Sequence, residues 1–173
     1  MTRILILLAA LALPATALAA PAGIPLWEGA ETGMTARQVL QVFPEATVVP
    51  EADRAGERGP EGGELAVAIN RVELGPDPYE ARFYFRDGGL ERIILDRILE
   101  GDMRFSRGLK LAGRVRDALS EHYGEPVKRQ TGGDGYLVEW HKGDKAVRLV
   151  VLTQSYEVKS FQVVYEPVAD DAS

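Results

Sequence analysis

The sequence predicts an α+β protein of two tandem units, each a helix packed on an antiparallel β-sheet of about three to four strands. Two observations favour this fold class. Apolar residues change from helical spacing to strand alternation twice along the chain. Each stretch also runs through a helix, a Glu-Pro or Pro-Glu exit, a turn-rich segment and three strands. We expect the first unit at 20–100, the second at 101–167 and a flexible tail at 168–173.

Residues 1–19 have the pattern of a secretory signal peptide. Arg3 supplies a positive start, residues 4–13 form an apolar run, and the Ala-Leu-Ala sequence that ends at Ala19 fits the cleavage rule. A helix that spans a bilayer needs about 20 apolar residues, and this run is shorter. Cleavage near Ala19 therefore predicts a periplasmic or secreted protein with no stable membrane span.

Composition limits the partners of the mature chain. The sequence has no cysteine, so it holds neither a disulfide framework nor a thiol for acylation. Its 26 acidic residues outnumber its 20 basic ones, for a formal net charge of -6. This balance argues against nonspecific binding to nucleic acid. For a chain that is expected to be exported, we expect another envelope protein as the partner.

The first unit opens with a short helix that has clear start and stop signals. Thr35 and Gln38 form a T-x-x-Q capping box, and apolar residues recur on one face as far as Phe43. Pro44 then disfavours further helix. Trp27 precedes the helix, and we expect it to cover the helix and the edge of the sheet, with a ligand contact as the alternative.

Three strands are expected after this helix, at 65–74, 79–86 and 90–95. The second strand has the cleanest alternation of the chain, and an Asp-Gly-Gly sequence joins it to the third. The segment 50–64 is charged and rich in Gly and Pro, which predicts a mobile loop. It is either a dispensable insertion or a binding loop.

The second unit follows a polar crossover at 96–107. A longer amphipathic helix is expected at 109–123, and Gly124 and Pro126 end it. Strands are then expected at 127–130, 136–142, 146–153 and 160–165.

The helix start and the hairpin of the first unit resemble those of a known family. The pattern is Gly-Met-Thr-x-x-Gln-Val, then strands with a Phe-x-Asp-Gly-Gly-Leu hairpin, carried by Gly33, Met34, Thr35, Gln38, Val39, Phe85, Asp87, Gly88 and Leu90. It is similar to the BamE (SmpA/OmlA) outer-membrane assembly family, and the doubling resembles the β-lactamase inhibitor protein architecture. The resemblance implies a helix-backed sheet whose open face binds other proteins, without catalytic residues. BamE-type proteins are lipoproteins, whereas this chain has no cysteine to acylate.

The sheet face that points away from the helices is the predicted partner-binding site. Alternation places on it a mixture of Tyr, Arg and other polar groups, namely Arg82, Tyr84, Arg86, Glu139, His141, Arg148 and Gln162. Tyr and Arg are enriched among residues that dominate binding energy in interfaces. The same pattern also fits an ordinary solvated sheet face. We expect an interaction module without catalytic activity or cofactor.

A periplasmic small-ligand or metal-binding protein is the alternative. Glu139 and His141 are two residues apart on one strand and share a face, but no third ligand is visible. His122, in the last turn of the second helix, is expected to meet the helix dipole or to pack. The sequence lacks a Gly-x-Ser-x-Gly elbow and a cysteine nucleophile, so an enzyme is disfavoured, although a carboxylate-based hydrolase stays open.

Overall fold

A computed structural model describes residues 23–54, 62–74, 77–99, 101–132 and 134–169. The predicted signal peptide at 1–19 lies outside the described residues, as do the centre of the predicted loop at 50–64 and the last residues of the predicted tail at 168–173. Within the described ranges, no helix is long and apolar enough to cross a bilayer.

Eleven strands and three helices occur in the described part of the chain. The elements before residue 100 are β1 (Pro25–Trp27), β2 (Ala30–Glu31), α1 (Ala36–Val42), β3 (Thr47–Val48), α2 (Glu51–Arg54), β4 (Glu64–Leu74), β5 (Asp77–Arg86) and β6 (Gly89–Arg97). Those after it are β7 (Met103–Arg104), α3 (Phe105–Tyr123), β8 (Lys128–Gly132), β9 (Gly135–Lys142), β10 (Lys145–Gln154) and β11 (Glu157–Pro167).

Nine of the described strands form one antiparallel sheet. Its order is β3-β4-β5-β6-β11-β10-β9-β8, with β7 paired to β11 beside this path, while β1 and β2 form a separate small sheet. The two strand triplets join through their last strands, where Ile94 of β6 lies opposite Val164 of β11. The main helix is α3, with 19 residues, whereas α1 has seven and buries only Val39.

The predicted architecture of two tandem helix-on-sheet units is therefore wrong, because one large sheet runs through both halves. The reason lies in the last strand of each triplet. Residues 92–95 of β6 and 163–166 of β11 are buried without alternation, so both faces of each strand are covered. A strand buried in this way is unsuited to a solvent-exposed edge, and pairing β6 with β11 removes both edges.

The individual strands and the helix cap were predicted correctly, in contrast to the architecture. All six predicted triplet strands are present as β4, β5, β6, β9, β10 and β11. The capping box of α1 is confirmed, since Thr35 N–H donates to Gln38 Oε1 at 2.8 Å and Gln38 N–H donates to Thr35 Oγ1 at 3.4 Å. The segment expected as a loop from residue 50 instead begins with the short helix α2.

Helix α3, which was predicted at 109–123, begins earlier than expected. Strand β7 pairs with β11 through Met103 and Val158, and Phe105 N–H donates to the Tyr156 carbonyl at 2.9 Å. This pairing anchors the chain directly before α3, so the helix starts at Phe105 inside the expected crossover. It ends at Tyr123, and Gly124 follows with a φ of 84°, as the glycine signal predicts.

The helix-covered face of the sheet holds the main core. One row of directly opposed residues crosses five strands, namely Phe83, Ile93, Tyr165, Val147 and Trp140. All five are almost completely buried. Trp140 sits beneath α3, where its indole N–H donates to Ser120 Oγ at 3.2 Å.

Trp27 packs on the end of the first helix, as predicted, but on the sheet it lies near Phe83 of the interior strand β5 and not at an edge strand. Its ring stacks on Phe43 with 5.5 Å between centroids and an interplanar angle of 11°. Phe43 in turn lies 5.3 Å from Phe83 in the main core. This aromatic group fixes the lead-in strand β1 against the sheet.

Candidate functional site

The opposite face of the sheet is charged, and we call it the ion-pair face. It is formed by the alternate positions of the five central strands, namely Arg82, Tyr84, Arg92, Ile94, Asp96, Glu139, His141, Arg148, Gln162, Val164 and Glu166. Residues that lie directly opposite one another across a ladder share a face, so these side chains are neighbours.

A chain of ion pairs crosses four strands of this face. Arg92 of β6 contacts Glu166 of β11 at 2.6 Å, and Arg148 of β10 contacts the same carboxylate. The Nε of Arg148 also lies 3.4 Å from Glu139 Oε2 on β9. Glu139 Oε1 then lies 2.6 Å from His141 Nε2. The two glutamates therefore link three basic side chains laterally.

A second polar group lies on the same face, towards the β5 side. Arg82 contacts Glu80 at 2.9 Å and Asp96 at 3.8 Å. Gln162 donates from its amide nitrogen to Asp96 Oδ2 at 3.2 Å. Both groups are held by strands in the middle of the sheet, where the backbone is paired on both sides. Their geometry is consequently set by the ladder register.

In several of these pairs the basic side chain is the more exposed member. Arg148 is 33% exposed, against 16% for Glu139 and 4% for Glu166. His141 is 36% exposed beside the same Glu139. At the end of β5, Arg86 is 43% exposed and its partner Glu91, at 3.0 Å, is 21% exposed. The outer layer at these positions is therefore basic, with carboxylates beneath it.

The structure brings the predicted site residues together, but one of them is buried. Six of the seven lie on the ion-pair face, and Arg86 pairs with Glu91 at the end of β5. Tyr84, however, is only 5% exposed. It packs with Leu65, Ile94 and Val164, and Val49 lies against this small cluster.

Sequence reasoning missed Arg92 and Glu166, the most buried ion pair of the face. Both are at most 5% exposed as whole residues. The signal was nevertheless present, because Glu166 continues the alternation of Gln162 and Val164, and Arg92 is two residues before Ile94. The strand predicted at 160–165 ended one residue too early to include this glutamate.

The histidines do not form a metal centre with their described neighbours. Glu139 uses one oxygen towards His141 and the other towards Arg148. Among the residues that the structure describes, no group of three or more His, Asp or Glu side chains is placed to hold a metal ion. His122 is exposed on α3 and packs edge-on against Tyr123, with 4.6 Å between ring centroids.

Comparison with known proteins adds a distant structural likeness. No protein-family model and no curated protein sequence matches the chain. A solved structure of a DUF4309 family protein (YjgB) from Bacillus subtilis subsp. subtilis str. 168 is similar at a TM-score of 0.42 and 17% sequence identity. The alignment covers 78% of this chain and 78% of that one.

Proposed function

We propose that this protein is an exported cell-envelope interaction module without catalytic activity, which docks an acidic protein partner on the ion-pair face. One observation carries the proposal, namely that Arg148 and His141 are more exposed than the carboxylates that hold them. A partner that approaches these two side chains therefore meets a basic group before the carboxylate beneath it. The signal-like pattern of residues 1–19 and the resemblance to the BamE family support export and protein binding.

The basic groups are fixed before any partner arrives. Arg148 is held between Glu139 and Glu166, which are on the two neighbouring strands. Ordering a long side chain on binding costs about 0.5–1.5 kcal/mol, and an arginine already held in place avoids much of that cost. Arginine is also one of the residue types enriched in binding hot spots.

Charge distribution favours an acidic partner on this face over the rest of the molecule. The chain has a formal net charge of -6, so its average surface repels an acidic protein. The exposed basic groups at Arg148 and His141 give such a partner a preferred orientation and a faster association at low salt. We therefore expect binding to weaken as ionic strength rises.

The test combines site-specific crosslinking with affinity measurement. A photoreactive amino acid is placed at Leu137, a half-exposed neighbour on the ion-pair face, or at Arg107, an exposed control position on α3. Proteins captured in envelope extract are identified, purified and titrated against wild type, Arg148→Gln and the control Arg107→Gln. We expect capture from position 137 only, and an affinity about tenfold lower for Arg148→Gln.

Tyr84 is unsuitable as a test position. Its side chain is buried, so Tyr84→Ala would remove core packing together with any contact. Arg148→Gln leaves Glu166 paired with Arg92, and the fold should persist. Equal capture from positions 137 and 107, or equal affinity of Arg148→Gln and wild type, contradicts the proposal.

A further inference from the structure

A groove lies on the helix-covered side of the sheet, opposite the ion-pair face. It has a volume of about 310 Å³ and runs between α3 and the end of β1, with Tyr165 at its base. Its walls are mainly apolar and include Trp27, Leu111, Val115, Leu119, Tyr123 and Tyr165. Small-molecule sites are typically of this kind, with volumes of about 300–1,000 Å³ and mostly apolar walls.

One stripe of α3 forms the long wall of the groove. The lining positions from Leu111 to Tyr123 recur at helical spacing, and at 1.5 Å per residue they span roughly 18 Å. Trp27 forms the facing wall and is held by its stack on Phe43. The slot is therefore preformed.

A single basic group without a partner marks one end of the groove. Arg114 is exposed there and makes no ion pair or hydrogen bond with any residue that the structure describes. Asp77 lies at the same end, but its Oδ1 contacts Arg97 at 2.7 Å. The Arg114 guanidinium thus remains available to a ligand.

A second polar group near this end also lacks a partner. The hydroxyl of Tyr79 is buried and has no hydrogen-bond partner among the described residues. Burial, followed by the charge of Asp77, raises the pKa of Tyr79, while the charges of Arg97 and Arg114 act in the opposite direction. The tyrosine therefore stays neutral, and it lies beneath the groove, since it is fully buried and does not line it.

We propose that this groove binds a small amphipathic anion, with an apolar body along α3 and one anionic group at Arg114. The apolar walls account for the body, and the unpaired guanidinium at one end accounts for the charge. A neutral apolar molecule of the same shape would lack the charge attraction to Arg114 and should bind more weakly.

The test uses a matched pair of fluorescent compounds. 8-Anilinonaphthalene-1-sulfonate is an apolar anion, and N-phenyl-1-naphthylamine has the same ring system without the sulfonate. Both are titrated against wild type, Arg114→Gln, Ala118→Trp and the control Arg107→Gln. Ala118 is an exposed residue of the groove wall, so a larger side chain there fills the slot without entering the core.

We expect Arg114→Gln to weaken binding of the sulfonate about tenfold and binding of the neutral compound less than about twofold. Ala118→Trp should weaken both, and Arg107→Gln neither. Equal effects of Arg114→Gln on the two compounds overturn the anion site. Undiminished binding to Ala118→Trp overturns the groove. Near-ultraviolet circular dichroism verifies the fold of each variant, and Ala118→Phe replaces Ala118→Trp if that variant is unfolded.

Discussion

The two faces of the central sheet are covered in different ways, and the difference separates stability from surface chemistry. On the helix-covered face, Phe83, Tyr165 and Trp140 lie in one apolar row beneath the helices. On the ion-pair face, Arg92 and Glu166 occupy buried positions of the same strands. Apolar burial stabilises a fold directly, whereas burying a charge pair costs desolvation that its attraction only partly offsets.

The ion-pair face is a candidate binding site even though two of its charged residues are buried. The Arg92 and Glu166 pair contributes little net stability compared with apolar side chains of the same volume. It does hold Arg148 in position, because Glu166 contacts both arginines. The pair thus supports a defined surface more than it supports the core.

The largest expected effect comes from breaking that pair on one side. Glu166→Ala leaves Arg92, 6% exposed as a side chain, as a buried charge without this carboxylate. We expect the free energy of unfolding to fall by about 3–5 kcal/mol. Replacing both residues with Met should cost much less, since the double variant removes both buried charges together. Urea unfolding of the three proteins measures this difference.

A result in which the double variant loses as much stability as Glu166→Ala would contradict this interpretation. The fit of side-chain shapes, and not the compensation of charge, would then determine the stability of both faces. Glu157→Ala is a suitable control, because that carboxylate pairs with Lys159 on the surface, where both side chains are more than 40% exposed. Exposed pairs of this kind contribute little to stability.

Local signals in the sequence were sufficient for the strands but not for the sheet. The turn between β5 and β6 and the cap of α1 involve neighbouring residues, so composition and spacing identify them. The pairing of β6 with β11 joins distant segments, for example Ile94 with Val164, and no local motif encodes it. The available clue was a short apolar run without alternation in each strand, at residues 93–95 and 163–165.

The candidate site shows the same limit. Strand alternation placed Arg82, Arg148 and Gln162 on one face because period two is a local property. The burial of Tyr84 was not predictable in this way, since it depends on Val49, from a segment well before β5, packing against it. Side-chain exposure at a site thus required the tertiary contacts.

A smaller effect should distinguish close packing beneath α3 from open space on the same helix. A Cβ at Gly108 would lie 2.5 Å from Val158 Cγ2 on β11, whereas a Cβ at Gly113 would meet nothing within 4 Å. We expect Gly108→Ala to lower the free energy of unfolding by about 1–3 kcal/mol, because β-branched Val158 has little freedom to move. Gly113→Ala should raise it by about 0.5–1 kcal/mol.

Each glycine is the control for the other, since both changes add one methyl group to the same helix. Urea unfolding, with helix content monitored by circular dichroism, measures both. If both variants are stabilised, α3 moves freely enough on the sheet to accept the methyl group. The helix-covered face would then be less tightly packed than the distances indicate.

The smallest effect at neutral pH concerns two tyrosines of the helix-covered face. Burial is the main cause that raises the pKa of both Tyr79 and Tyr165. Above pH 10, where tyrosines of the unfolded chain titrate, the folded protein therefore holds more protons than the unfolded one. Stability should be unchanged up to about pH 9 and fall as the pH rises through 10 and beyond.

Absorbance of tyrosinate and urea unfolding between pH 8 and 12 test this prediction, with Tyr79→Phe as the variant and Tyr156→Phe as its exposed control. Tyr79→Phe removes one group that resists ionisation, so its stability should fall less steeply above pH 10. At pH 7 the variant should equal or exceed wild type, because it also removes a buried hydroxyl without a described partner. A clear loss of stability at pH 7 would mean that this hydroxyl has a partner in solution.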